Sequence, residues 1–167
     1  MNIFTFIEDS LDIFYIQPDT VICSEKFKYY VPDEIKHLIA VPFVYVKIER
    51  PCKAIKAEFA HRHYSECGYG VHLVSEDVDE GSVLDSSVFL SPATKIVSSE
   101  GEPLKKAERD YEGFESFDAA IERASRHISL RTGDLVTLDL PRLSELDITE
   151  GSSQTINYQD LSITIVA

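Results

Sequence analysis

The chain has no tryptophan, and its three cysteines, Cys23, Cys52 and Cys67, form no CxxC pair. Thiols odd in number and unpaired in spacing argue against a disulfide framework or a structural zinc cluster, and fit reduced thiols in a cytoplasmic protein. Long hydrophobic runs are also lacking. The longest, Leu38 to Val46, is too short to span a bilayer and is interrupted by Pro42. The opening MNIFTFIEDS carries no basic residues and reaches Glu8 and Asp9 too early for a signal peptide. Positive charge is scarce: 16 basic against 29 acidic residues leave a formal net charge of −13. Such a balance repels phosphate backbones and anionic lipid surfaces, so neither nucleic acid nor membrane is an expected partner.

What is present suits a folded chain. With 44% apolar and 27% charged residues over 167 positions, the composition predicts one globular domain, 1–167, large enough to bury a core. Most of it reads as short strands. Asn2–Ile7 and Asp12–Gln17 are rich in β-branched and aromatic residues and end on polar or proline punctuation. Thr20–Cys23 and Lys28–Val31 predict a hairpin around Ser24–Lys26, and Val41–Ile48 a buried strand. Ile55, Phe59 and His63, spaced four apart, predict a helix over Ala54–Tyr64, stopped by Gly68 and Gly70 before a strand through Val74.

A second helix begins after Ser116, a candidate N-cap, with Asp118 in its first turn and Ile121 and Ala124 pointing inward. The turn Arg131-Thr132-Gly133-Asp134 leads into a strand over Leu135–Leu140. Thr155–Tyr158 and Leu161–Val166 face each other across Gln159-Asp160, and the charged stretch Ser98–Gly113 should be surface. The fold class is α+β, mostly β, with two short helices.

Several segments, taken in order, carry more information than any one alone. They are Phe14-Tyr15-Ile16-Gln17-Pro18-Asp19, Tyr30-Val31-Pro32-Asp33, Phe59-Ala60-His61-Arg62-His63-Tyr64, Gly70-Val71-His72-Leu73-Val74-Ser75-Glu76-Asp77, and Ile128-Ser129-Leu130-Arg131-Thr132-Gly133-Asp134-Leu135-Val136. In order and spacing they resemble the fumarylacetoacetate hydrolase family as it occurs in bacteria, whose members read close to vFmKPD, fxlPD, FAHRYY, GIDFTARD and LKxGDLIFTGTP. The resemblance covers most of the chain. It implies a mixed β-roll or sandwich of that family's C-terminal-domain type, and a homodimer or a pairing with a catalytic paralogue.

The resemblance also implies a metal site that can be checked position by position. Family enzymes hold Mg²⁺, Mn²⁺ or Ca²⁺ on three carboxylates, two in a Glu-x-Glu strand and one in the Asp of GID. Hard cations need oxygen donors, and residues i and i+2 of a strand share a face. Here the pair falls on Val41 and Phe43, and the third position on His72. The substrate-pocket positions are altered as well. Gln17 replaces a lysine, Glu76 an arginine, and the GTP turn reads Asp139-Leu140-Pro141, with Leu140 and Pro141 at its last two places. Asp77 survives and reads as a turn or helix-capping residue. Two loops are shortened, between Thr5 and Ile13 and between Asp79 and Ser82.

The expectation is therefore a non-catalytic member that binds a small molecule or a protein partner and carries no cofactor. The alternative is a divergent hydrolase, decarboxylase or isomerase of a β-dicarbonyl or 2-oxo acid that uses Mg²⁺ or Mn²⁺. Other constellations are weaker. His61, His63, Glu66 and His72 contain metal-ligand types, but on a helix His61 and His63 would lie about 200° apart. Cys67 with His63 would make a thiol–imidazole pair, yet a buried structural thiol is the plainer expectation. Ser99-Glu100-Gly101 lacks the first glycine of a nucleophile elbow, and the acidic run Glu76, Asp77, Asp79, Glu80 lacks calcium-loop spacing. Tyr29, Tyr30, Tyr45 and Tyr111 would suit a partner surface where they are exposed.

Overall fold

In the computed structural model, residues 1–7, 10–23, 27–78, 83–96 and 116–167 are described. The strands in chain order are β1 (Asn2–Phe6), β2 (Phe14–Pro18), β3 (Lys28–Tyr30), β4 (His37–Ile48), β5 (Tyr64–Val74) and β6 (Val88–Leu90). They continue as β7 (Thr94–Lys95), β8 (Leu135–Asp139), β9 (Ser144–Asp147), β10 (Ser153–Tyr158) and β11 (Leu161–Val166). Helix α1 (Ala57–Ala60) precedes β5 and helix α2 (Phe117–Ser125) precedes β8. The mostly-β class with two short helices is what the sequence pattern predicts. Among the described residues no helix is long and apolar enough to cross a membrane.

Backbone contacts divide the chain into two compact units. The first comprises Met1–Pro18, Val44–Gly68 and Pro92–Asp139. In it β1 pairs antiparallel with β2 and parallel with β8. Alternation sorts the side chains: Phe4, Phe6 and Phe14 pack their rings on one face, with centroids 5.0 to 6.3 Å apart. The Asp134 carboxylate joins the starts of β1 and β8, accepting Asn2 N and Arg131 N at 2.8 Å each. That buried carboxylate explains why a Gly-Asp turn stands at the strand entry. Helix α2 buries Phe117, Ala120, Ile121 and Ala124, as its spacing predicts. Ser116 occupies the N-cap position, although its side chain makes no capping bond.

The first helix is much shorter than its periodicity suggests. Over Ala54–Tyr64 only Ala57–Ala60 is helical, and Tyr64 already belongs to β5. The backbone departs from helical geometry before Ala57: Ala54 takes a left-handed φ of 51° and Lys56 is extended, and α2 supplies the partners for the donors there. Ala54 N donates to Ser125 O (2.7 Å), Ile55 N to Ser125 Oγ (3.2 Å) and Ala57 N to Glu122 Oε2 (2.9 Å). Tertiary hydrogen bonds override a local apolar spacing that cannot register them.

The second unit comprises Asp19–Phe43, Tyr69–Ser91 and Leu140–Ala167. The first half of β4 pairs with β9, with Leu38 opposite Leu146, and β5 pairs with β6, with His72 opposite Val88. A three-stranded sheet orders β10, β11 and β3. Its β10–β11 hairpin turns at Gln159-Asp160 as expected, and Gln159 accepts a left-handed φ of 52° to do so. The hairpin expected between Thr20–Cys23 and Lys28–Val31 does not form. Asp19–Val21 makes a 3-10 turn, Ile22 bridges to Val88, and β3 runs parallel to β11 instead. Each segment finds its hydrogen bonds in a distant strand, while residues 24–26 of the expected turn lie outside the described residues.

Gly68 and Gly70 do not stop a helix; both lie inside β5. The Tyr45 ring, in the first unit, covers Gly68 so closely that a Cβ there would stand 2.6 Å from its atoms. In the second unit a Cβ on Gly70 would stand 2.3 Å from Phe43 Cζ and 2.5 Å from the Phe89 carbonyl oxygen. Large rings on β4 are thus accommodated by missing side chains on β5. Gly70→Ala should lower stability by about 1–3 kcal/mol through overpacking. Gly68→Ala should cost less, because a ring can shift and a strand carbonyl cannot. Thermal and urea unfolding of both variants checks the order.

Candidate functional site

The positions that the resemblance assigns to metal binding come together in the second unit, on the neighbouring strands β4 and β5. Phe43 is 2% exposed, and its ring stands edge-on to His72, with centroids 5.6 Å apart and planes at 84°. His72 is equally buried. Val41, two residues before Phe43, shares its strand face and is half-buried. Aromatic and aliphatic groups fill this place. Of the three side chains only the imidazole carries an electron pair for a metal, whereas Mg²⁺ and Mn²⁺ favour several oxygen donors. These residues do not fit a hard divalent cation. Among the described residues no three His, Cys, Asp or Glu side chains are grouped closely enough to hold a metal ion.

Asp77 has a structural assignment. Its carboxylate oxygen Oδ2 accepts both Lys36 N and His37 N at 2.6 Å, while its own N–H donates to Ser75 Oγ at 3.1 Å. It clamps the entry to β4 and caps no helix. The N–H of His37, then that of Lys36, holds its carboxyl below the usual carboxylate range. Beside it His37 Nδ1 lies 2.8 Å from Asp147, tying β4 to β9. Glu76 is exposed and 3.9 Å from the Arg142 guanidinium, a surface pair worth little. Leu140 donates its N–H to Pro42 O at 2.8 Å and is half-buried; Pro141 is exposed.

Gln17 belongs to the first unit, where it is 1% exposed. Its Oε1 accepts the Thr5 hydroxyl at 3.2 Å, and Thr5 Oγ1 accepts the Thr137 hydroxyl at 3.0 Å. Tyr15 also bonds to Thr5, and burial, then the Asp139 charge, pushes its phenol far above the ordinary range. Polar side chains therefore form a ladder across β2, β1 and β8, on the face opposite the phenylalanines. A reading based on family positions misses this ladder. Its signal is the alternation in Phe4-Thr5-Phe6, Tyr15-Ile16-Gln17 and Thr137-Leu138-Asp139, which puts polar residues at one parity of three paired strands.

The remaining candidates separate. His61 and His63 lie beyond the end of α1, so helical spacing does not govern them, and His63 Nδ1 lies 3.0 Å from Arg50 O. Cys67 is 1% exposed with its thiol 3.9 Å from Thr94 Oγ1, and burial pushes the thiol up, against the nucleophilic thiolate. Tyr29 and Tyr45 are buried, and burial with Asp85 and Glu34 pushes the Tyr29 phenol up to about 12. Tyr30 is exposed. Ser99-Glu100-Gly101, Asp79, Glu80, Tyr111, the Ser98–Gly113 stretch and the Asp79–Ser82 shortening lie outside the described residues.

No family model and no curated protein matches this sequence. Solved structures do. A fumarylpyruvate hydrolase from Pseudomonas aeruginosa, in complex with Mn²⁺ and pyruvate, aligns over 99% of this chain and 88% of its own, at 14% identity and a TM-score of 0.71. A protein from Yersinia pestis CO92 assigned to the fumarylacetoacetate hydrolase family aligns over 99% and 91%, at 13% identity and a TM-score of 0.67. A maleylpyruvate hydrolase from a Sphingobium species aligns over 99% and 70%, at 12% identity and a TM-score of 0.68. At these identities the likeness is one of fold. The chain has the fold that the sequence resemblance implies.

Two outcomes follow from the site geometry. The folded Asp77 carboxyl titrates below its unfolded value of about 3.9. Its clamp therefore contributes fully above that pH and is lost as pH falls through the lower folded value. Asp77→Ala should lower the urea midpoint at pH 7, with the gap to the wild type closing towards pH 3. Gln17→Leu should cost about 1 kcal/mol by removing the bond between the buried Thr5 hydroxyl and the Gln17 amide oxygen, readable in the same unfolding assay.

Proposed function

We propose that the chain is a non-catalytic relative of the fumarylacetoacetate hydrolases, with a small-molecule-binding or protein-interaction role in place of metal-dependent chemistry. One observation carries this: Phe43 is buried against Gly70 and His72 where the resembled pattern places carboxylate ligands. A phenyl ring offers a cation no lone pair, and its burial is favourable only while no ion and no ordered water occupy that place. Surrounding changes support the same reading. Gln17 is engaged in a buried ladder, Asp77 is spent on backbone N–H groups, and Leu140 replaces a polar turn residue. The protein acts in the cytoplasm, as a homodimer or beside a catalytic paralogue.

The competing reading is a divergent hydrolase, decarboxylase or isomerase of a β-dicarbonyl or 2-oxo acid. The hydrolases among its structural neighbours favour it. It requires a cation, so one measurement separates the two. Calorimetric titration of the whole chain with Mg²⁺ and with Mn²⁺, in the presence and absence of oxalate, should give no stoichiometric heat. Stoichiometric binding in the micromolar range would overturn the non-catalytic reading.

A further inference from the structure

The scarce positive charge of this chain is concentrated. Residues 50–63 and 122–131 hold seven of the 16 basic residues and two acidic ones, Glu58 and Glu122. The rest of the sequence holds nine basic and 27 acidic residues. Within the first unit these two stretches run side by side. Cys52 and Leu130 exchange backbone hydrogen bonds at 3.0 and 2.9 Å in an antiparallel bridge, and both side chains are buried. Alternation turns their neighbours outward: Pro51, Lys53, Ser129 and Arg131 are all exposed. Lys53 and Arg131 therefore flank the bridge, Lys53 opposite Ser129 and Arg131 opposite Pro51, both in solvent.

The rest of the surface follows from the same pairing. Lys56 and Arg126 flank the Glu122 carboxylate at 3.1 and 3.8 Å, and their side chains stay 70% and 52% exposed. Glu122 is already held by Ala57 N, so one carboxylate faces two cations. Arg50 and Arg62 are exposed, and Arg62 stacks 5.1 Å over the ring of Phe59, which is itself 39% exposed. No ion pair involves Lys53, Arg131 or Arg50 among the described residues. The fold assembles this positive surface from two segments about seventy positions apart, with an exposed aromatic ring at its margin.

We infer that this surface docks a short acidic segment of a partner protein. Cations spread over two adjacent segments match carboxylates strung along a peptide. A long polyanion or an anionic membrane fits less well. Screening at physiological salt extends only about 8 Å, and either would bring further negative charge close to a chain that is strongly acidic everywhere else. The inference gives a partner class to the interaction role, yet it rests on different residues. Failure of peptide binding would leave the cation titration unaffected, and the reverse also holds.

The test uses the full chain and an acetylated hexaglutamate peptide, measured by calorimetry at low ionic strength. Binding is expected, weakening steadily as salt is added. The double reversal Lys53→Glu with Arg131→Glu should reduce affinity by at least about tenfold, since two attractions become repulsions. The milder pair Lys53→Gln with Arg131→Gln should give an intermediate loss, and serves if the reversal unfolds. The unfolding midpoint is followed in both. No binding at low salt, or binding indifferent to both pairs, overturns the inference. So does tighter, patch-dependent binding of a single-stranded oligonucleotide or of phosphatidylserine vesicles, or salt-sensitive self-association through the same residues.

Discussion

In each unit an aromatic ring of β4 is seated over a glycine of β5, and the packing around each ring depends on that fit. Tyr45 over Gly68 and Phe43 over Gly70 require strand positions with no Cβ. In return each ring gains burial it could not have against any larger residue. Position 43 is thus a core position. Once its ring occupies the space above Gly70 and beside His72, that space is committed to packing.

Three carboxylates also serve the backbone. Asp134 joins the starts of β1 and β8, Asp77 clamps the entry to β4, and Glu122 holds the start of α1. Each accepts backbone N–H donors that the adjoining element leaves without a partner. Thr5, Gln17 and Thr137 satisfy one another in the interior. The remaining uncommitted charge lies on the surface, where Lys53, Arg131 and their neighbours stand apart from an otherwise acidic protein.

Strand assignments from alternation survive wherever the partner strand is adjacent in sequence or the run is strongly apolar. Phe4 and Phe6, Val44 and Val46, and the Gln159 hairpin are of this kind. Assignments fail where a distant segment supplies the hydrogen bonds. The Ile55, Phe59 and His63 spacing describes a helix, yet Ala54 is left-handed and Lys56 extended where the segment docks on Ser125 and Glu122 of α2. Gly68 and Gly70 read as breakers because the rings that need them lie some twenty-five positions earlier.

The sequence by itself determined the mostly-β class, the acidic balance, the absence of carboxylates at positions 41, 43 and 72, and the order of motifs that resembles a known family. These are properties of side-chain chemistry and local periodicity, which need no partner to exist. Only the tertiary structure decided that Phe43 rests on Gly70 and against His72, that Asp77 serves the backbone of Lys36 and His37, and that Lys53 and Arg131 share a surface. The reason is physical. Each is a contact between segments far apart in the chain, selected by the packing and hydrogen bonding of both, and neither segment alone carries it.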